Sequence, residues 1–181
     1  MRAADSLESL PAPDGEGAWL TVIEASRGSR HKFKYRAAHR AFELSGVLPL
    51  GLSFPYDFGF VPSTLGDDGD PLDVLVLADE ALPVGVVVPA RIVGVIEAEQ
   101  QDEGEAAERN DRLIAVADKA RRYLDCNDLG DVAPNVLDEI EAFFAVFNAH
   151  KGGRFTPLAR RGTDAAKQLL REGQRRFAAK R

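Results

Sequence analysis

Four aspartates are crowded into residues 67–73 of the chain, which read DDGDPLD. Carboxylates this close repel one another unless positive charge lies between them, and hard divalent cations such as Mg²⁺ take oxygen ligands of this kind. Gly69 permits a tight turn, and Pro71 favours an extended backbone at the residue before it. Three side chains are therefore predicted to converge where the next apolar strand begins: Asp68, Asp70 and Asp73.

A solvated turn is the alternative interpretation, because Asp-Gly is a common turn dipeptide. A calcium-binding loop between two helices is excluded by the spacing. With Gly69 as the loop glycine, Thr64 and Gly66 stand where acids are required, and the flanking residues resemble strands. The segment thus favours Mg²⁺ or Mn²⁺ and a phosphorylated partner over a calcium sensor.

The composition restricts the class of protein. The chain has 181 residues, a formal net charge of −6 and one cysteine, which fit a single domain in a reducing compartment. The negative charge argues against nucleic acids and anionic membranes as partners. No stretch reaches the roughly 20 apolar residues of a membrane span, and residues 1–17 lack the apolar core of a signal peptide. We expect a cytoplasmic protein.

The first two thirds of the chain are rich in strand-forming residues. Residues 1–17 offer almost nothing to bury, so we expect a mobile arm before a single domain at 18–181. Pro89 is expected to interrupt one long strand-like segment, and residues 97–108 are expected to form an acidic surface loop. The predicted strands, separated by Gly and Pro turns, are 19–24, 32–36, 41–44, 73–78, 84–98 and 113–117.

The last third changes to a helical period. Gly152 and Gly153 are expected to end a first helix, and Thr163 or Asp164 to cap a second one. Strands followed by helices predict an α+β fold, a small closed β-barrel with two C-terminal helices packed on it. The apolar faces comprise Val136, Leu137, Ile140, Phe143, Phe144 and Phe147 in the first helix and Ala166, Leu169, Leu170 and Phe177 in the second.

Residues 54–65, FPYDFGFVPSTL, followed by DGDPLD at 68–73, resemble the family I soluble inorganic pyrophosphatases. The resemblance runs from about residue 19 to residue 150. It implies a barrel of the oligonucleotide/oligosaccharide-binding type and, in bacteria, usually a hexamer. Four further segments are similar to that family: VIE at 22–24, GSRHKF at 28–33, VGVI at 93–96 and RLIAV at 112–116.

The resemblance also implies an activity, the Mg²⁺-dependent hydrolysis of pyrophosphate to two phosphates. Metal ions would neutralise the phosphates and activate the attacking water. Asp70 would take the proton from that water and also lie at the metals. The other implied metal residues are Asp68, Asp73 and, through bound water, Glu24; Lys32 and Arg112 would bind phosphate oxygens.

Several positions depart from the family pattern on the substrate side. One family arginine, two tyrosines and a tyrosine–lysine pair are absent, so cations and hydroxyl groups are lost while the aromatic rings remain. A family lysine is Arg112, which keeps the charge in a planar fork. The five altered positions are Gly46, Phe54, Phe58, Phe147 and Asn148.

The metal side departs as well. One family aspartate falls at Asn110, where a shift by one residue offers Asp111 instead. Another falls inside the acidic loop, where three carboxylates are alternatives: Asp102, Glu103 and Glu105.

Lys34 replaces a family acid. On a strand it shares a face with Lys32 and Arg36, so it can return positive charge to the phosphates, or simply face solvent. Lys151 follows the first helix. It can likewise bind a phosphate, or it can simply interact favourably with the negative end of the helix dipole.

Three functions follow as alternatives. The first is an inorganic pyrophosphatase, with full or weakened activity. The second is a related phosphoanhydride or phosphoester hydrolase with a shifted substrate, since the phosphate contacts are altered. The third is a non-catalytic binding or assembly protein on the same barrel, because a fold does not guarantee an activity.

Overall fold

A ring of five strands forms the body of the protein in the computed structural model, which describes residues 6–11, 13 and 17–180. Around the ring the order is β1, β4, β5, β8 and β6, and β6 closes it by pairing with β1. All of these pairs are antiparallel except β5 with β8. The strand bounds are Trp19–Ala25 (β1), His31–Arg36 (β2), Ala41–Val47 (β3), Asp57–Phe60 (β4), Asp73–Leu77 (β5), Val87–Gln101 (β6), Glu108–Arg109 (β7), Arg112–Ala117 (β8) and Arg154–Gly162 (β9).

The ring requires a close approach between β1 and β4. A Cβ atom on Gly59 would lie 1.9 Å from the carbonyl oxygen of Val22 on β1, so glycine is needed at this point of β4. Strands β2 and β3 form a separate antiparallel hairpin, in which Lys32 lies opposite Gly46.

Two helices cover the barrel, α1 at Pro134–His150 and α2 at Thr163–Ala179. Helix α1 buries Phe143 and Phe144 among its apolar residues and ends before Gly152, as expected; Gly152 has a positive φ of 80°. The expectation that Thr163 or Asp164 caps α2 is wrong, because the helix begins at Thr163 itself. Gly162 is the N-cap residue without a side-chain bond, and Asp128 from a distant loop accepts the Thr163 backbone N–H at 2.9 Å.

The expected interruption at Pro89 is also wrong, since β6 runs through it. Pro89 lies opposite Leu20 of β1, and pairing with β8 begins only at Ala90. Proline has no backbone N–H, but because Pro89 lies outside the part of β6 that pairs with β8, no hydrogen bond to β8 is lost. The predicted loop at 97–108 is shorter than expected, because β6 continues to Gln101 and β7 begins at Glu108.

Strands β4 and β9 were not expected from the sequence. Strand β9 pairs with β6 from Gly94 to Gln101, and its register shifts close to Pro157. A proline and several arginines weaken the strand signal, so the backbone pairing with β6 decides this segment.

Part of the predicted N-terminal arm contacts the barrel. A short 3₁₀ turn at Leu7–Ser9 packs Leu7 and Leu10 against a small apolar cluster on β1, β2 and β4. Ser63, whose φ is 56°, donates its backbone N–H to the Glu8 carbonyl at 2.8 Å and its hydroxyl to the Leu10 carbonyl at 2.7 Å. Within the predicted arm, residues 6–10 thus contact the barrel, while residues 1–5, 12 and 14–16 lie outside the described part.

The architecture confirms the predicted α+β class, with a largely closed barrel and two C-terminal helices. Within the described part of the chain, neither helix combines the length and apolar character needed to cross a bilayer.

Candidate active site

A cleft of about 330 Å³ opens beside the acidic run, between the β2–β3 hairpin, the barrel and the end of α1. Acidic residues outnumber basic ones in its lining. The acids are Glu8, Glu24, Asp68, Asp70, Asp73, Asp102, Glu105 and Glu108, and the bases are Lys32, Lys34, Arg112 and Lys151.

The acidic run makes a tight turn at Gly69, whose φ is 83°, and then enters β5 at Asp73. The turn brings Asp68, Asp70 and Asp73 to one cleft, as predicted from the spacing. Each of the four carboxylates in the run has a partner within the chain. Asp67 pairs with Arg176 at 3.2 Å, Asp68 accepts the Asp70 backbone N–H at 3.0 Å, Asp70 pairs with Lys34 at 2.6 Å, and Asp73 pairs with Arg112 at 3.0 Å.

Glu24 lies deeper, at the wall formed by β1. Its side chain accepts the backbone N–H of Tyr35 on β2 at 2.8 Å, and the residue is only 7% exposed. Burial raises the pKa of Glu24 to about 7, although the Tyr35 hydrogen bond and Lys32 act in the opposite direction. Burial also raises the pKa of Asp68. Negative charge at this wall is therefore poorly solvated.

Without metal ions, we expect the stability to fall as the pH rises, because Glu24 ionises. Its folded-state pKa of about 7 exceeds the ordinary value of 4.5, so the folded protein holds this proton more tightly than the unfolded chain. The contribution is complete below the ordinary pKa and is lost as the pH rises through the folded-state pKa. Urea unfolding in EDTA should show a loss of about 2.5 kcal/mol from pH 5 to pH 8 in the wild type relative to Glu24→Gln.

Asp79→Asn is the control for this comparison. Asp79 follows β5, and hydrogen bonds from the backbone N–H groups of Arg121 and Arg122 lower the pKa of its carboxyl, so its ionisation lies below the pH window tested. This variant should keep the wild-type slope. Equal slopes for the wild type and Glu24→Gln would contradict the assignment.

Arg112, at the start of β8, is held from several sides and is 3% exposed. Besides Asp73, its Nη1 donates to the Asn110 carbonyl at 2.9 Å and to the Asn110 side-chain oxygen. Its Nη2 donates to Gln100 Oε1 at 3.1 Å. The guanidinium lies 4.6 Å from the centre of the Phe144 ring. Arg112 thus braces Asp73 and contacts the cleft with little free surface.

Two lysines, Lys32 and Lys151, line the same cleft as the acids. Lys32 Nζ lies 5.1 Å from the centre of the Phe58 ring and 5.8 Å from that of Phe147. Lys151 Nζ lies 4.5 Å from the Phe147 ring. Burial lowers the pKa of Lys151, and Lys32 lowers it further. The phenylalanine rings therefore hold the two ammonium groups by cation–π contact, although they lack the family's hydroxyl groups.

The candidate metal ligands around β7 fall into two groups in the structure, those that line the cleft and those that do not. Asp102 and Asn110 both line the cleft, but the Asn110 side-chain oxygen accepts a bond from Arg112. Asp111, the alternative to Asn110, bonds the Ala98 backbone N–H at 2.9 Å and Arg109 at 2.5 Å. It is absent from the residues that line the cleft. Of these two alternatives, the structure places Asn110 at the cleft.

Two other altered positions differ in their surroundings. A Cβ atom on Gly46 would meet nothing within 4 Å, so the place of the family arginine is open beside Lys32. Asn148 is buried at 1% exposure and donates to the Phe144 carbonyl of its own helix. Lys151, three residues later, lines the cleft as a cation.

Several residues of the cleft were not found from the sequence, Gln100 and Glu8 among them. Gln100 binds Arg112 from the end of β6, and Glu8 reaches the rim from the N-terminal turn. Leu7 and Leu10, three residues apart, were the available signal that residues 6–10 can dock. Nothing in the local sequence around Gln100 indicates its bond to Arg112.

The sequence comparisons agree with this geometry. A family model described as inorganic pyrophosphatase matches residues 21–178. The inorganic pyrophosphatase of Nostoc sp. is 43% identical over 138 residues, which is 76% of this chain and 79% of that protein. That of Thermus thermophilus is 41% identical over 145 residues, 80% of each chain.

Solved structures give the same result. The crystal structure of inorganic pyrophosphatase from Thermus thermophilus matches with a TM-score of 0.85 and 37% identity, over 96% of this chain and 99% of that one. The enzyme from Helicobacter pylori matches with a TM-score of 0.82 and 30% identity, over 93% and 98% of the two chains. The chain therefore belongs to the family of soluble inorganic pyrophosphatases.

Proposed function

We propose that this protein hydrolyses inorganic pyrophosphate to two phosphates with Mg²⁺ as its metal. One observation carries the proposal: the carboxylates of Asp68, Asp70 and Asp73 share a single cleft with Lys32 and Lys151. A cleft that holds both a cation-binding and an anion-binding side suits a metal–pyrophosphate complex. Membership of a metal-dependent family supports the same conclusion.

The donor set suits a hard divalent ion. Oxygen atoms of Glu24, Asp68, Asp70 and Asp73 line the cleft together, and burial raises the pKa of both Glu24 and Asp68. In the described residues, no three His, Cys, Asp or Glu side chains are already gathered as a metal cluster. Asp68, Asp70, Asp73 and Glu24 would hold Mg²⁺, with Asp102 and Asn110 as further oxygen donors.

When bound, Mg²⁺ neutralises phosphate charge and lowers the pKa of its water. Asp70 is proposed to accept the proton of the attacking water. A new bond forms between that oxygen and one phosphorus as the bridging P–O bond breaks. Lys32 and Lys151 bind the phosphate oxygens and stabilise the leaving phosphate. Arg112 acts here through Asp73, which it braces, more than by direct contact with phosphate.

The test is release of phosphate from pyrophosphate, measured colorimetrically with and without Mg²⁺. We expect Mg²⁺-dependent release, faster for pyrophosphate than for tripolyphosphate, ATP or a sugar phosphate. A preference for one of those larger substrates would favour the related hydrolase, to which the open space at Gly46 is suited. If none of them is hydrolysed, the non-catalytic binding protein replaces both proposals.

We further propose that residues 18–181 act as one domain in a cytoplasmic homo-oligomer. Exposed apolar side chains on β3 and the turn after it support self-association, since such surface usually marks an interface. Sedimentation equilibrium should give a mass above the 19.7 kDa of one chain. The side chains are Leu44, Val47 and Leu50.

A further inference from the structure

The ammonium group of Lys34 forms an ion pair with the carboxylate of Asp70, which is a proposed metal ligand. Its Nζ lies 2.6 Å from Asp70 Oδ2, and Lys34 also lines the cleft beside Glu24 and Asp68. The next residue, Tyr35, donates its backbone N–H to Glu24, which anchors this part of β2 against the acidic wall. Lys34 is therefore held where a divalent ion would need the same oxygen.

The other cations that pair with the acidic run are fixed more firmly. Arg112 is buried and has several hydrogen bonds besides its ion pair with Asp73. Arg176 binds the Leu65 carbonyl at 3.2 Å in addition to Asp67.

Lys34 differs from Arg112 in its exposure, since the Arg112 side chain is only 4% exposed. Arg176 is about as exposed as Lys34, but it lies outside the residues that line the cleft. The side chains of Lys34 and Asp70 are 36% and 54% exposed. An ion pair that is this exposed to water contributes little to stability. A lysine side chain is also flexible and carries its charge on one small group. Lys34 is thus the cation of this cleft most easily displaced from its carboxylate.

We propose that Lys34 is a built-in competitor of the divalent metal ion at Asp70. This inference rests on the proposed function and adds a control of metal occupancy to it. The metal must displace the ammonium group before Asp70 becomes available as a ligand. The displaced ammonium stays on its strand, so it continues to repel a bound cation. Removing its charge should therefore tighten metal binding.

The experiment is a calorimetric titration of the full chain with Mg²⁺ alone, in low salt and without substrate. Lys34→Met keeps the length of the side chain and removes its charge. We expect its Kd for Mg²⁺ to be roughly tenfold lower than that of the wild type, because a unit charge next to a divalent ion is removed. Lys34→Gln should shift the Kd in the same direction, and Lys34→Arg should leave it within about twofold, since the charge is kept.

Arg36→Met is the matched control. Arg36 lies two residues along β2 and pairs with Glu43 at 3.2 Å, and it is not among the cleft residues. Its removal should leave the Kd for Mg²⁺ within about twofold of the wild type. An equal gain in both Met variants would mean a general charge effect and would overturn the proposal.

Phosphate release by the same variants separates this inference from the proposed function. If Lys34→Met leaves the Kd for Mg²⁺ unchanged and raises the KM for pyrophosphate, Lys34 is a phosphate contact; the competition is then overturned while hydrolysis stands. If Lys34→Met tightens Mg²⁺ binding but neither the wild type nor any variant releases phosphate, the competition is supported and the proposed hydrolysis fails.

Discussion

Asp70→Asn should lower kcat for pyrophosphate by about a thousandfold, within the range expected when a general base is removed. The amide keeps the shape of the side chain but cannot accept the proton of the attacking water. The fold should survive, because Asp70 is half-exposed and its ion pair with Lys34 contributes less than about 1 kcal/mol. Stopped-time phosphate assays at saturating Mg²⁺, with thermal unfolding in parallel, measure both effects.

Asp67→Asn is the control, since Asp67 belongs to the same acidic run. Its carboxylate pairs with Arg176 of α2 and lies outside the residues that line the cleft. This variant should retain most of the wild-type kcat. The role of Asp70 would be refuted if Asp70→Asn retained more than half of the activity, or if both variants lost activity equally.

Arg112→Met should destabilise the protein by about 3 kcal/mol, as is typical when one partner of a buried ion pair is removed. The methionine fills part of the space against Phe144, but Asp73 and the Asn110 side-chain oxygen lose this donor. Gln100 Oε1 is left with the Asn110 side-chain amide at 3.4 Å. A change of this size corresponds to a fall in Tm of roughly 8 °C for a chain of this length. Urea unfolding at pH 7 measures it.

Arg109→Met provides the comparison on the neighbouring strand. Arg109 pairs with Asp111 and Glu97, but its side chain is 39% exposed, so the loss should stay below about 1 kcal/mol. Arg112→Lys should lie between the two, because it restores the charge without the planar fork. Equal stability of the two Met variants would show that Arg112 does not brace the site.

The sequence was sufficient for the fold class and for the acidic side of the cleft. Residues 67–73 are contiguous, so turn geometry alone brings Asp68, Asp70 and Asp73 to one place, and the structure shows them there. The roles of these residues remain predictions. The family resemblance and the α+β barrel, in contrast, are confirmed by the comparisons and by the strand ring.

The basic side of the cleft was less accessible to sequence reasoning, because its partners are distant along the chain. Alternation along β2 placed Lys34 on the face of Lys32, but it did not reveal that Lys34 would pair with Asp70, 36 positions later. Which of Asn110 and Asp111 would face the cleft depended on their bonds to Ala98 on β6, whose carbonyl accepts the Asn110 backbone N–H and whose N–H binds the Asp111 carboxylate. Likewise, β9 is a strand because its backbone pairs with β6, whereas its own residues have a low propensity for strands.

The parallel pairing of β5 with β8 has a consequence for biosynthesis. Strand β5 ends at Leu77, but its neighbour in the ring begins only at Arg112. Until residues 112–117 have left the ribosome, β5 of the nascent chain has one unpaired edge. Long-range pairings of this kind also form slowly. The segment that leads into this edge holds the aspartates, whose mutual repulsion and charge help to keep an incomplete chain from pairing with its neighbours.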